Sequence, residues 1–253
     1  MVTFTEAQIL AWVTPVLWPF LRTLAMFSSM PVMGTRTVPM RVRIGLSLLV
    51  AVAAQASLPP MPVIPLDSPI TFAVVLQQVL IGLSVGFAVR VVFAAIEYAG
   101  EMVGLQMGLN FAGFFDPVSA SAGTATGRFY GTMVGWLFVV INGHLLVLAA
   151  LLHSFQTFPV GPEPFGFLRA TLPHQWGAEI FLTGLWIALP MIAMLLFVNL
   201  VLGMVSRVAS QINIFAVGFP ITLTVGMIGM LLTVPLLEQP FTMALERLLS
   251  AFR

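Results

Sequence analysis

Six long apolar stretches, divided by short polar or proline-rich corners, set the hydrophobic pattern of this chain. They run from Ala7 to about Met33, Ile44 to Leu58, Ile70 to Ile96, Phe129 to Leu152, Ile180 to Val205 and Ile212 to Leu237. A helix needs roughly 20 mainly apolar residues to cross about 30 Å of hydrocarbon, so each stretch predicts a helical segment that approaches or exceeds that reach, the second being short. The fold class expected is an all-α membrane protein of about six apolar helices arranged as hairpins. The corners fit that arrangement. Leu58-Pro59-Pro60-Met61-Pro62-Val63-Ile64-Pro65 and Phe158-Pro159-Val160-Gly161-Pro162-Glu163-Pro164 are stiff, non-helical connectors.

The third stretch does not stop cleanly. After Arg90 come Glu97 and Glu101, then Gln106 and Asn110, and each pair is four residues apart. Such pairs share a helix face, so a helix is expected to run on to Leu109 or Asn110 with a polar stripe along it. Polar groups at membrane depth turn toward a protein interior or water; a solvated loop helix is the alternative. Gly100, Gly104 and Gly108 recur every four residues, as do Gly127, Gly131 and Gly135. Small residues at that spacing let helix backbones approach closely, which predicts intimate packing across the intervening loop.

Composition moves the same way. Of 253 residues 59% are hydrophobic and 8% charged, with mean hydropathy +1.05, whereas a soluble domain is usually about 25% charged. A net charge of +1 and no basic stripe argue against nucleic acid as a partner. All ten basic residues are arginine and cysteine is absent, which removes disulfides and thiolate metal sites. Met1 to Ala7 carries Glu6 and no basic residue, so the first stretch is expected to be a retained helix rather than a signal peptide. Arg36, Arg41, Arg43, Arg90, Arg128 and Arg207 would fall on one side of six spans and Arg169, Arg247 and Arg253 on the other. The arginine-rich side marks the cytoplasm, which places both termini outside it. Arg22, inside the first stretch, is left unassigned.

Little in the chain points to catalysis. Gly82-Leu83-Ser84-Val85-Gly86 matches the nucleophile-elbow pattern, but that motif works at a strand-to-helix turn and here lies in an apolar helical run, where Gly82 and Gly86 form a small packing face. His144 is the candidate histidine at depth, and Asn142 and Gly143 beside it supply no acid or metal partner. His144, His153 and His174 have no zinc spacing. A secondary transporter built on broken helices is favoured by Pro190 and Pro220 but opposed by sparse membrane acids and the lack of an internal repeat. No phosphate-cradling loop occurs. The expectation is a non-enzyme without cofactor or metal.

One segment stands apart: Gly108-Leu109-Asn110-Phe111-Ala112-Gly113-Phe114-Phe115-Asp116-Pro117, then small residues to Gly127. Pro117 stops helix continuation and biases Asp116 away from it. A bulky apolar cluster on a deformable loop suits something that fills a hole and can be displaced.

These residues carry a resemblance. Gly104-Leu105-Gln106-Met107-Gly108-Leu109-Asn110-Phe111 with Asp116-Pro117, Asn142-Gly143-His144-Leu145, Phe155-Gln156-Thr157-Phe158-Pro159-Val160-Gly161 and Phe219-Pro220-Ile221-Thr222-Leu223-Thr224-Val225-Gly226, in that order, resemble the FliR family of the flagellar type III export gate. Trp18-Pro19-Phe20-Leu21-Arg22 and Val38-Pro39-Met40-Arg41-Val42-Arg43 fit as well. The virulence type III secretion component is a close relative and the alternative.

The resemblance implies a single export-gate domain over residues 1–253, a FliP-like part followed by a FliQ-like part. It implies one copy assembled with several FliP-like and FliQ-like subunits into a helical, cone-shaped channel, in contact with further export-apparatus proteins. Unfolded flagellar proteins would pass through it. The place implied is the bacterial inner membrane at the flagellar basal body, with the assembly largely at periplasmic level and much apolar helix surface covered by partner subunits instead of lipid. The loop over 110–127 is then a pore plug presenting Asn110, Phe111, Phe114, Phe115, Asp116 and Pro117. Glu97, Glu101 and Gln106 would form a polar inter-subunit or channel face, and the two glycine ladders the helix packing.

Overall fold

The computed structural model describes residues 6–65, 67–109, 124–209 and 214–253. Nine α-helices occur among them and no strand: α1 (Glu6–Ser29), α2 (Met40–Ala54), α3 (Pro69–Gln106), α4 (Ala125–Val140), α5 (Gly143–Thr157), α6 (Gly166–Thr171), α7 (Trp176–Val208), α8 (Ile214–Thr233) and α9 (Glu238–Leu249). Five helical stretches are long and apolar enough to cross a membrane, and α4 with α5 makes a sixth if that bent pair is counted as one span. The chain is an all-α membrane protein.

Five of the six apolar stretches each fall on one α-helix, with shifted ends. The polar stripe after Arg90 is helical to Gln106, so α3 is a single helix of 38 residues. The fourth stretch divides, because Asn142 takes a left-handed conformation at φ 57, which asparagine tolerates better than most residues. A helix not signalled by hydropathy is α9. Its Glu238, Glu246 and Arg247 dilute the apolar signal, yet Phe241, Leu245, Leu248 and Leu249 are buried along one face, the spacing of an amphipathic helix.

The chain forms two compact units that interleave in sequence, with α3 passing from one to the other. Unit 1 is Met1–Arg90, Asn142–Trp176 and Leu245–Arg253; unit 2 is Val91–Ile141 and Gly177–Ala244. In unit 1, α1 packs against α2, and Trp18, Met26, Ile81, Leu151, Phe155 and Phe252 are among its fully buried side chains. Gly82 and Gly86 of α3 meet α1 so closely that a Cβ at Gly82 would lie 2.8 Å from Cβ of Ala25, and one at Gly86 2.6 Å from the Met26 carbonyl oxygen. The proline corners are fastened. Trp18 Nε1 donates to the Pro62 carbonyl at 3.4 Å, and Thr71 Oγ1 donates to the Pro65 carbonyl at 2.6 Å.

Unit 2 has an aromatic centre. Phe93, Phe138 and Phe241 meet edge-to-face with centroids 5.6, 5.9 and 6.5 Å apart, within the range that such pairs favour. Small residues and methionines fill the remaining contacts. A Cβ on Gly226 would lie 2.5 Å from Cγ of Met107, and one on Gly229 2.6 Å from Cε of Met194.

Candidate functional site

Two places concentrate polar groups within these apolar helices. In unit 1 the centre is Arg22, which is completely buried. Its Nε donates to Gln78 Oε1 at 2.8 Å, Nη1 to Ser154 Oγ at 2.9 Å and Nη2 to the Phe158 carbonyl at 3.0 Å. The guanidinium carbon stands 3.7 Å from the centroid of the Phe155 ring, a cation–π contact that partly replaces lost hydration. Every one of these partners is neutral. The network continues through Gln78 Nε2, which donates to Gln77 Oε1 at 2.8 Å. Gln77 then holds the proline corner: Nε2 donates to the Pro159 carbonyl at 3.1 Å, and Oε1 accepts from the Gly161 amide at 3.0 Å. One arginine and two adjacent glutamines thus tie α1, α3 and α5 to the loop after α5. A guanidinium suits the task because its planar fork reaches three acceptors on separate elements at once.

Sequence reasoning left Arg22 without a role and passed over Gln77, Gln78 and Ser154. The signal lies in polar groups inside the first and third apolar stretches and just past the end of the fourth, where each is costly unless paired with another.

The second place is the end of α3 against the start of α4, both in unit 2. Here the glycine ladders interlock unevenly. A Cβ on Gly100 would lie 2.9 Å from the Thr126 carbonyl oxygen and 2.9 Å from Cβ of Tyr130, and one on Gly104 would press into the Thr126 hydroxyl. In return Gly127 and Gly131 make room for two glutamates: a Cβ on Gly127 would lie 2.8 Å from Cγ of Glu101, and one on Gly131 2.8 Å from Oε1 of Glu97. A Cβ on Gly135 would face open space, with nothing within 4 Å among the described residues. Gly108 lies beyond α3 at φ 80, the conformation that ends a helix and that glycine adopts without strain. Glu97 and Glu101 therefore lie beside α4, the first exposed and the second half-buried.

The start of α4 is capped by Thr124, whose hydroxyl accepts from the Gly127 amide at 3.0 Å and lies 3.0 Å from the Thr126 hydroxyl. A threonine N-cap satisfies one of the free amides of a first turn. The contact of Gly104 with Thr126 holds together the two sides from which the 110–123 segment departs. Asn110, Phe111, Phe114, Phe115, Asp116 and Pro117 lie outside the described residues. Gln106 and Met107 also line a cleft of about 360 Å³ with Asn199, Gly203, Phe219 and Thr222, so Gln106 faces a space that has a second amide on its wall.

The enzyme motifs find no setting. Ser84 is within continuous α3, without the strand-to-helix turn its motif requires. His144 opens α5, and among the described residues no three His, Cys, Asp or Glu side chains are grouped to hold a metal.

The family model for bacterial export proteins, family 1, matches residues 13–248. The flagellar biosynthetic protein FliR of Escherichia coli K12 is 42% identical over 241 residues, covering 95% of this chain and 92% of that protein. FliR of Pectobacterium carotovorum is 41% identical over 246 residues, with 95% and 92% covered. FliR of Bacillus subtilis is 30% identical over 216 residues, with 83% and 82% covered. A match over nearly the whole chain, on an all-α membrane fold, means that the chain belongs to the FliR family of bacterial export proteins.

Proposed function

We infer that this chain is a flagellar export component of the inner membrane that works without chemistry of its own, as one wall of a channel completed by FliP-like and FliQ-like subunits. The observation that carries this reading is the clamp at the two ends of the 110–123 segment. Gly104 against Thr126, with Thr124 capping α4, fixes where that segment begins and ends. A phenylalanine-rich loop on a rigid base suits a plug: Phe111, Phe114 and Phe115 seal the closed pore by apolar contact, and Asp116 and Pro117 shape the turn. The whole chain serves as a single export-gate domain, a FliP-like part followed by a FliQ-like part.

Partner subunits are supported by α7. Its exposed apolar residues extend from Phe181 to Val208, about 40 Å at 1.5 Å per residue, more than an upright helix buries in about 30 Å of hydrocarbon. Only 17% of its most apolar window is buried within the chain. Neighbouring subunits cover the excess, with Glu97, Glu101 and Gln106 facing the channel or a subunit boundary.

The test is deletion of residues 111–115 in a chain produced with the other export subunits. Ion conductance across the membrane rises while the complex is recovered in normal amount and stoichiometry by native mass spectrometry. An unchanged ion barrier with normal assembly overturns the plug, and recovery of the chain alone overturns the channel.

A further inference from the structure

The loop between α1 and α2 in unit 1 brings together charge and exposed apolar surface that the export reading does not use. Arg36, Arg41 and Arg43 fall within eight residues, and no acid occurs between residues 7 and 66. Arg43 is committed to the loop itself: its Nη2 donates to the carbonyls of Thr35, at 2.5 Å, and Val38, at 3.1 Å. The Gly34 amide to Met30 at 2.6 Å and the Val38 amide to Thr35 at 3.3 Å tighten the same turn. Arg36 and Arg41 are exposed and have no hydrogen-bond partner among the described residues. They stand at one end of a hairpin whose second helix is only 17% buried in its apolar window.

The register of α2 extends that charge into an apolar track. Arg41, Gly45, Leu48 and Val52 follow at i, i+4, i+7 and i+11, so they share one helix face. Leu48 and Val52 are 48% and 55% exposed, and no atom lies within 4 Å of a Cβ position on Gly45. A shallow groove at Gly45 thus separates the guanidinium of Arg41 from the leucine and valine below it.

We propose that this face binds an anionic phospholipid, its phosphate held by Arg36 and Arg41 and one acyl chain lying over Gly45 along Leu48 and Val52. Charge complementarity selects the lipid. An excess of arginine marks the cytoplasmic side, where anionic headgroups attract basic residues next to a membrane helix, by roughly fivefold in affinity per residue. Arg43 shapes the loop and does not contact the lipid.

The absence of cysteine permits a direct test on the full chain assembled with its export subunits in nanodiscs. Gly45→Cys, labelled with an environment-sensitive fluorophore, is read with brominated phosphatidylglycerol or brominated phosphatidylcholine at equal mole fraction. Quenching by the anionic lipid exceeds that by the zwitterionic one. The preference falls about 25-fold in Arg36→Gln/Arg41→Gln and stays within about twofold in Arg36→Lys/Arg41→Lys. Equal quenching by both lipids overturns the proposal, as does a preference unchanged in the glutamine pair. A label shielded from both lipids, together with capture of another protein by a photo-cross-linker attached to Gly45→Cys in place of the fluorophore, overturns it too and assigns the face to a protein partner. Should the glutamine pair fail to assemble, raised salt on the Gly45→Cys protein alone decides. Loss of the preference supports the site, and a preference insensitive to salt overturns it.

Discussion

In unit 1 the helices meet around a buried guanidinium and two amides; in unit 2 they meet across glycines, methionines and phenylalanines. Arg22, Gln77, Gln78 and Ser154 are buried in the first, whereas the buried polar side chains among the described residues of the second are Thr126 and Thr222. In lipid no hydrophobic force draws one apolar helix to another, so contact must come from hydrogen bonds or from close van der Waals packing. Unit 1 adds the hydrogen-bonded network to the close approach of Gly82 and Gly86 to α1, whereas unit 2 depends chiefly on close packing. The hydrogen-bonded unit is specified by direction, since each acceptor must sit at the end of a particular N–H. The close-packed unit is specified by shape, and a single added methyl group disturbs it.

The largest effect that separates the two falls on Arg22. Arg22→Met leaves Gln78 Oε1, Ser154 Oγ and the Phe158 carbonyl without their donor, at a cost of about 3 kcal/mol, or roughly 6–12 °C in the unfolding midpoint of the purified complex. Arg22→Lys keeps the charge and reaches fewer of the three acceptors, so it recovers about half. If lysine restores the midpoint fully, directionality is not what holds unit 1 together. Next comes Gly100→Ala in unit 2. Its methyl would lie 2.9 Å from the Thr126 backbone oxygen, which cannot rotate away, and overpacking of that kind costs about 2 kcal/mol. A midpoint equal to that of the native complex would show that the α3–α4 contact has slack.

The difference between the units also governs what could be read without coordinates. Both glycine ladders are periodic, and a period is visible in a sequence; so are the six apolar stretches and the stiff proline corners. The Arg22 network has no period. Its members come from the first and third stretches and from just past the end of the fourth, and Arg22 and Ser154 are 132 positions apart. Each alone reads as an imperfection in an apolar helix. Periodicity also overstates. It gives Gly108 and Gly135 the same weight as Gly104, although Gly108 ends α3 at φ 80 and a Cβ on Gly135 would meet nothing within 4 Å. The break at Asn142 was hidden for a related reason, since hydropathy is blind to one residue with φ above zero.

A smaller effect tests how far the Arg22 network extends. Gln77→Leu removes the acceptor of the Gly161 amide and of Gln78 Nε2 and the donor to Pro159, and leaves the three hydrogen bonds that Arg22 donates in place. The loss is about 1.5 kcal/mol, felt mainly at the corner after α5 and at the neighbouring Gln78. Amide hydrogen exchange at Gly161 speeds up on the order of fivefold, while exchange in α1 is unaltered. Acceleration in both would mean that Gln77 is part of the helix-holding core rather than its outer edge.

The smallest effect bears on the ladder that periodicity suggests and the chain only partly uses. Within the chain Gly135 has room for a methyl group, and alanine is a better helix residue than glycine by about 1 kcal/mol. Gly135→Ala therefore leaves the unfolding midpoint unchanged or raises it slightly, whether or not the other export subunits are present. A different result would be more informative. If the isolated chain tolerates alanine while the assembled complex loses yield, the space at Gly135 is filled by the backbone of another subunit. The third rung of the ladder would then serve packing between chains, as Gly127 and Gly131 serve packing within this one.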